Sequence, residues 1–344
     1  MYRHHGYCPA CDHDTVFEIR GPWLRDQYVC TRCGSIPRER ALMHVLGTVC
    51  PHWRRLRLHE SSPVMRGASV RLSRECPGYV GTQFFPDVAR GATRDGWRCE
   101  DLEAMTFADE SVDLHVTQDV FEHIFHPDRA FREIARTLTP GGLHVFTTPL
   151  VNKCAPTERC AVLRPDGSIE HLRVPEYHGN PVSSGGALVT MRWGYDICEQ
   201  IHRESGLFTT MHHLDLHEMG IHAEYIEVLV TRKPGVGLPV DPGAHAAAAS
   251  KRAVIFGAGR GGENARRFLA DAWEIVAYAD NDISKHGSFV AGIPVVPASR
   301  VLTWPDATVF VASVHASEMV AQLRNLGIVS ERIKVLGHEI IAGR

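Results

Sequence analysis

No apolar run in this 344-residue sequence approaches the roughly 20 residues that a membrane-spanning helix requires, so the chain is not read as a helical membrane protein. The segment Met1-Tyr2-Arg3-His4-His5 leads into polar residues and cysteines rather than a signal-peptide core, and the expected location is cytoplasmic. Charge of one sign is scarce too. A formal net charge of -3 offers no bulk attraction to nucleic acid or to an anionic bilayer. Disorder is not expected, because 44% of residues are hydrophobic and 22% charged, as in ordinary globular proteins. The length suffices for two or three domains with their own cores.

What is present begins with cysteine. Ten cysteines in a protein of this kind are read as thiols or metal ligands rather than disulfides. Cys8-Pro-Ala-Cys11 and Cys30-Thr-Arg-Cys33 are two Cys-x-x-Cys knuckles at a separation that fits the two halves of a zinc ribbon. Four thiolates close a tetrahedron and leave no open position, so the expected role of the zinc is structural. His13 is a substitute ligand that the four sulfurs make unnecessary. Cys50, Cys76, Cys99, Cys154, Cys160 and Cys198 have no knuckle spacing and are read as small core or surface residues. After the ribbon, Ala41, Leu42, Val45 and Leu46 fall at helical spacing, predicting a connecting helix over 37–46.

A second pattern follows. Val112, Leu114 and Val116 alternate along a short buried strand over 111–117, and Ala130, Phe131, Ile134, Ala135 and Leu138 share one face of a helix over 128–138. Asp128 follows a proline and can cap the helix; Pro140-Gly141-Gly142 stops it, and 143–148 reads as the next strand. Strand, helix, turn, strand builds a parallel sheet, whose ligands sit beyond the carboxyl ends of its strands. On periodicity alone this is a generic doubly wound α/β domain.

Four segments narrow it: Asp101-Leu102 before a turn, Phe107-Ala108-Asp109-Glu110-Ser111-Val112-Asp113, Val120-Phe121-Glu122-His123, and Leu138-Thr139-Pro140-Gly141-Gly142. Together they resemble class I S-adenosylmethionine-dependent methyltransferases, of the type 11-like kind, over roughly 55–233. The resemblance implies a Rossmann-like domain in which Asp101 accepts from the adenine amino group, Leu102 packs beside it, and Thr117, Gln118 and Asp119 line the methionine side. The first half departs from the pattern. Where the family has an acidic strand end and a Gly-x-Gly turn, this chain has Leu58-His59-Glu60-Ser61-Ser62-Pro63, which resembles a bacterial subgroup with a Leu-His-x-x-Pro first turn. Serine and proline carry Cβ atoms and proline has no N–H, so the cradle is either reshaped or lost. Gln83 stands at the ribose-gripping position and can hydrogen-bond a diol without charge assistance. His59, Glu60, Ser61 and Gln83 complete the expected cofactor set.

The composition of 234–250, rich in glycine, proline and alanine without amphipathic pattern, predicts a linker. Beyond it, Ala253-Val254-Ile255-Phe256 reads as a strand, and Gly257, Gly259 and Gly262 satisfy G-x-G-x-x-G ahead of a helix over 263–269. Asp280 closes the next strand, where a ribose-binding acid is expected. No Tyr-x-x-x-Lys pair occurs, which argues against a short-chain dehydrogenase or sugar epimerase centre. This unit resembles the small Rossmann-like domains attached to enzymes of bacterial surface-sugar biosynthesis, which implies a nucleotide or nucleotide-sugar as its ligand.

The predicted fold class is therefore α/β, with a zinc ribbon and connecting helix over 1–46, a methyltransferase-like domain over 47–233, a linker over 234–250, and a smaller Rossmann-like domain over 251–344. That order is similar to the layout of sugar C-methyltransferases and implies a sugar-like small-molecule substrate. Removing the acceptor's proton calls for a base near neutrality. His123, just past a strand at the ligand edge, and the polar aromatic segment holding Tyr177 and His178 are the catalytic candidates. His212, His213, His217 and His222 lack a carboxylate at ligand spacing and are read as structural. A non-catalytic binding or scaffold protein with a degenerate turn is the alternative. A nucleic-acid methyltransferase reading is disfavoured by the near-neutral charge. Nothing in the sequence sets the oligomeric state.

Overall fold

The computed structural model describes residues 2–180, 182–235, 251–269, 273–337 and 340–341. The chain divides into two compact units, one of Met1–Leu207 with Leu216–Val240 and one of Phe208–Asp215 with Asp241–Arg344. Most of the predicted linker, 236–250, lies outside the described residues. Among the described residues no helix is long and apolar enough to cross a membrane.

The first unit opens with a three-stranded antiparallel sheet of β1 (Tyr2–Cys8), β2 (His13–Ile19) and β3 (Tyr28–Cys30). Each cysteine knuckle turns through a left-handed residue, Asp12 (φ 59°) and Gly34 (φ 72°), and the turns close with Asp12 N–H donating to Cys8 O at 2.8 Å and Gly34 N–H to Cys30 O at 2.9 Å. The helix Pro37–Val49 follows, with proline in its first turn as φ preference favours. The predicted stretch, 37–46, is the first ten residues of this helix.

Arg40 of that helix fastens the ribbon to the rest of the unit. It is fully buried, and its guanidinium donates to Tyr28 O (2.7 Å), Gly220 O (2.6 and 3.0 Å) and Ser35 O. Its carbon lies over the rings of Phe17 (4.8 Å) and Tyr28 (5.1 Å). Three backbone carbonyls from separate segments thus converge on one side chain.

The main sheet runs in the order β6-β7-β5-β4-β8-β9 followed by Val228–Arg232, where β4 is Leu58–Ser61, β5 Tyr79–Gln83, β6 Thr93–Arg94, β7 Trp97–Cys99, β8 Val112–Gln118 and β9 Leu138–Thr147. β7, β5, β4, β8 and β9 are mutually parallel, while β6 and Val228–Arg232 pair antiparallel with β7 and β9. This is the mixed α/β architecture with a large parallel sheet that the pattern predicts. The helix between β8 and β9 is Pro127–Thr137, burying Ala130, Phe131 and Ile134. β9 starts earlier than expected: Pro140-Gly141-Gly142 is absorbed into the strand as a register irregularity opposite Val112 and Leu114, rather than standing as a separate turn. After β9 come three short antiparallel pairings, the last a hairpin of Tyr177–Asn180 and Ser183–Leu188.

The second unit is also built around paired strands. Glu274–Asp280, Arg252–Phe256, Thr308–Val311 and Ile333–Leu336 form its parallel centre, and Ile293–Pro297 extends it. Phe208–His212, which the sequence reading placed within 47–233, pairs antiparallel with Ile333–Leu336. Ala253, Ile255, Ala265, Tyr278 and Phe310 fill the core between these strands and the helix Arg260–Leu269.

Substituting Arg40 by Met keeps an extended side chain but removes the guanidinium donors from Tyr28 O and Gly220 O, while Ser35 O keeps the Cys30 N–H at 2.9 Å. Each buried unsatisfied group costs about 1–3 kcal/mol, so Arg40→Met should lose at least about 2 kcal/mol in urea denaturation of the full chain. A loss under about 1 kcal/mol would show that Arg40 is not the fastening.

Candidate functional site

The four knuckle sulfurs all lie within 4.8 Å of one another, Cys8 and Cys33 at 3.8 Å. A tetrahedron with metal–sulfur bonds of about 2.3 Å has edges of about 3.8 Å, so the cluster has the dimensions of a closed four-thiolate site. The hydrogen bond with Cys30 pushes the Cys8 thiol up to about 12, burial pushes Cys11 up to about 12, and hydrogen bonds from Cys33 and Cys8 drive Cys30 strongly down.

A cavity of about 1310 Å³ opens beyond the carboxyl ends of the parallel strands of the first unit. Ser61 and Ser62 enter it from the end of β4, Gln83 from β5, Asp101 and Leu102 from the loop after β7, and Gln118 and Asp119 from β8. The seven positions reach one cavity because parallel strands end on the same edge. Ser62 adopts φ 55°, the left-handed conformation for which glycine is usual, and its N–H donates to Thr82 O at 2.8 Å. The turn thus keeps a glycine-like backbone while carrying side chains. Gln83 Nε2 steadies it by donating to Pro63 O at 3.1 Å. Asp101 Oδ1 accepts from Glu103 N–H (2.9 Å), and burial holds its carboxyl above the usual range.

Three predicted cofactor contacts sit elsewhere or are already occupied. His59 is not on the cavity wall but inside the sheet, 1% exposed, with Nδ1 2.8 Å from His115 Nδ1 and Nε2 2.8 Å from Thr82 Oγ1. Depth along the strand is the reason: Ser61 is the last residue of β4 and reaches the cavity edge, while His59, two residues earlier, lies within the sheet in a register row with His115 and His144 of β8 and β9. Glu60 is completely buried and accepts from Ser69 Oγ (2.7 Å), Tyr79 OH (2.9 Å) and Gln118 Nε2 (2.9 Å); burial raises it to about 7. It orients Gln118, whose Oε1 is buried without a hydrogen-bond partner. Asp119, at φ 52°, pairs with Arg25 Nη2 and Arg38 Nε at 2.7 Å each and accepts from Thr147 Oγ1 at 3.0 Å. Burial would raise its carboxyl, but the two guanidiniums outweigh that and hold it at about 2.

The opposite wall of the cavity brings His123 and His178 together, rings edge to face at 5.1 Å. His123 Nδ1 lies 2.9 Å from Leu188 O, so it must carry the hydrogen and Nε2 bears the lone pair in the neutral ring. Glu122, 2% exposed, lies between them. Its Oε2 accepts from Thr148 Oγ1 at 2.9 Å, while Oε1 stands 3.7 Å from His123 Nε2 and 3.8 Å from His178 Nδ1, with no hydrogen bond of its own. The Glu122 carboxylate raises the His178 pKa, outweighing the opposing effect of partial burial. Tyr177 stands outside this cluster. It is 57% exposed and absent from the cavity wall, since neighbouring residues of the hairpin strand face opposite sides and His178 takes the inner one. Residues that the sequence reading missed are Glu122, whose only signal was its place beside His123, and Trp23, Arg25 and Arg38, which the ribbon and its helix contribute to the wall.

In the second unit Gly257 takes φ 116°, and a Cβ on Gly262 would lie 1.8 Å from Gly257 O, so both glycines are required by the turn and by helix packing. Gly259 faces open space. Asp280 is at its strand end as expected, yet its carboxylate is engaged: Oδ2 accepts from Ala258 N–H (2.7 Å) and Lys285 Nζ (3.0 Å), and Oδ1 from Asp282 N–H (2.8 Å).

Residues 72–146 match the Methyltransferase domain family. Comparison with curated proteins finds no match. Among solved structures, an S-adenosylmethionine dependent methyltransferase from Mesorhizobium loti is 17% identical, covering 56% of this chain and 98% of that one at a TM-score of 0.38. An S-adenosylmethionine-dependent methyltransferase from Methanosarcina mazei is 11% identical over 53% and 94%, at 0.32. A UDP-D-quinovosamine 4-dehydrogenase from Vibrio fischeri is 21% identical over 28% and 86%, at 0.24.

The buried histidines make the fold acid-sensitive. Burial holds His59 and His144 at about 3 and His115 well below its ordinary value, so between about pH 3 and 6.5 the unfolded chain binds protons that the folded chain refuses. Glu60 opposes them, because its raised pKa lets the folded state hold a proton between about 4.5 and 7 that the unfolded state lacks. Within this sheet, three protons against one make the cluster's contribution to stability fall as pH drops from about 6.5 toward 5, by about 2.7 kcal/mol per pH unit, and His213, which burial holds at about 4, adds to the fall. His144→Phe, whose ring can stack where His144 now stacks on Phe146, should reduce that slope by about one proton in urea titrations at about pH 5, 6 and 7. An unchanged slope would sink the assignment.

Proposed function

We propose, for a chain that carries an S-adenosylmethionine-dependent methyltransferase domain, that it methylates a hydroxyl or carbon of a sugar, nucleotide-sugar or related small metabolite. The observation that carries this reading is the two-sided cavity, with strand-end acceptors on one wall and the Glu122, His123, His178 cluster on the other. Ser61, Ser62, Gln83, Asp101, Leu102 and Gln118 are the residues that would hold the cofactor. The donor set fits: Asp101 offers a desolvated carboxylate for an amino group, and the unpartnered Gln118 Oε1 offers an acceptor for an ammonium. When bound, S-adenosylmethionine supplies an electrophilic methyl group for in-line displacement.

The chain's own work is positioning and proton removal. His123 Nε2 is set to accept a proton from the acceptor, because its Nδ1–H is committed to Leu188 O, and Glu122 is placed to stabilise the imidazolium that results. Asp119 acts on the site through Arg25 and Arg38, which it orients. The four-cysteine cluster holds a structural zinc in this reading, and the turn at Gly257, Gly259 and Gly262 takes the phosphate of a nucleotide or nucleotide-sugar at the following helix. The rival scaffold reading loses ground because Ser62 reproduces the backbone conformation that the missing glycine would supply.

Calorimetric titration with S-adenosylmethionine should give saturable binding, weakened at least about tenfold in Asp101→Ala, since a hydrogen bond to a charged group is worth about 1.5–3 kcal/mol. No heat at millimolar ligand would favour the scaffold. Elemental analysis should find one zinc per chain in metal-replete protein, lost in Cys30→Ser; a zinc-free, fully folded wild type would refute the ribbon.

A further inference from the structure

We propose that Glu122, His123 and His178 bind a divalent transition-metal cation on the acceptor side of the cavity. The geometry is that of an unfilled ligand set. Glu122 Oε1, His123 Nε2 and His178 Nδ1 all lie within 4.8 Å of one another, and the carboxylate oxygen is 3.7 and 3.8 Å from the two nitrogens. Those spans exceed a hydrogen bond. Ligand atoms sharing one cation at about 2.0–2.2 Å stand about 3.3–3.8 Å apart, so a cation between the groups would need only small adjustments.

The chemistry of the facing atoms points the same way. Glu122 is 2% exposed, and its Oε1 has no hydrogen-bond partner, which leaves a buried acceptor aimed at the lone pair of His123 Nε2. Two acceptors facing each other in a buried wall repel unless a cation lies between them. Every ligand is also held from behind. Thr148 Oγ1 donates to Glu122 Oε2, Leu188 O fixes the His123 tautomer, and Glu176 Oε1 stands 3.5 Å from His178 Nε2. A carbonyl or carboxylate on the far nitrogen is the usual support of a metal-bound imidazole.

Two nitrogens and one oxygen suit a borderline cation such as Mn²⁺, Co²⁺ or Zn²⁺ better than Ca²⁺, and three protein ligands leave coordination positions open to the cavity. The inference deepens the proposed function and rests on it only for what the cation does there. It would bind an acceptor oxygen and lower its pKa, so that the two histidines serve as ligands in place of His123 taking the proton directly.

The test uses the full chain with its four-cysteine site first loaded with zinc, titrated with Mn²⁺ and followed by the electron paramagnetic resonance signal of the free ion, with Co²⁺ absorbance as a second probe. Wild type should take up one equivalent. Glu122→Gln and His178→Ala should each bind at least about tenfold more weakly, the least expected when a direct ligand is lost. His178 is half-exposed on a hairpin, so its truncation leaves the core intact and guards against a misfolded Glu122 variant. No uptake of either metal by wild type, or equal uptake by both variants, overturns the proposal. S-adenosylmethionine calorimetry on the same samples separates the two readings: cofactor binding without metal uptake removes the metal alone, and metal uptake without cofactor binding removes the methyl-transfer reading alone.

Discussion

The carboxylate of Asp119, gripped by Arg25 and Arg38, is the interaction on which the site's shape depends. Removing three charges from water is expensive, and the attraction offsets that cost only when the geometry is tight and the remaining lone pairs are used. Here both guanidiniums approach to 2.7 Å, Thr147 Oγ1 takes the other oxygen, and Arg25 Nε donates to Tyr225 O. The left-handed backbone at Asp119 is a local strain that this network over-determines. Its consequence is architectural. The connection between β2 and β3 and the helix Pro37–Val49 are drawn onto the end of β8, so that Trp23, Arg25 and Arg38 become wall rather than periphery.

Arg40 is the same device two residues along the helix from Arg38, aimed at backbone carbonyls instead of a carboxylate. Between them the two anchors make a small cysteine-rich sheet an integral part of the cavity. A ribbon acting only as a staple would need neither.

What the sequence made legible was local. Cysteine spacing, the strand, helix and strand periodicity of β8 to β9, and the glycine turn at Gly257 each lie within a few residues, and the structure contains all of them. Positions beyond strand ends could be ordered along the sheet, which is why Ser61, Gln83, Asp101 and Gln118 do share a cavity. What was not legible is set by pairing at a distance. Arg25 and Asp119 are 94 residues apart, and His59 meets His115 across 56. Which side of a strand a residue faces also escaped: one step along the hairpin separates inward His178 from exposed Tyr177, and a hairpin without strong hydrophobic alternation does not declare its register.

The cavity's polar balance bears on what it can hold. Its arginines are already paired, Arg25 and Arg38 with Asp119, Arg38 also with Asp26, and Arg66 with Glu39, so they add structure more than free positive charge. Two buried acceptors of the cavity wall have no hydrogen-bond partner, Gln118 Oε1 on the strand-end side and Glu122 Oε1 on the opposite one, and the one such donor on the wall among the described residues, Arg38 Nε, is 2.7 Å from the Asp119 carboxylate. A buried acceptor left alone costs about 1–3 kcal/mol, and a ligand recovers that only by bringing donors or positive charge. S-adenosylmethionine carries an ammonium and a sulfonium, and a polyol carries hydroxyl donors; a carboxylate or phosphate placed against either acceptor would meet repulsion. Under the proposed function these two oxygens would favour cationic and hydroxyl-rich groups at the positions they face, a preference set by where two side chains sit in the wall.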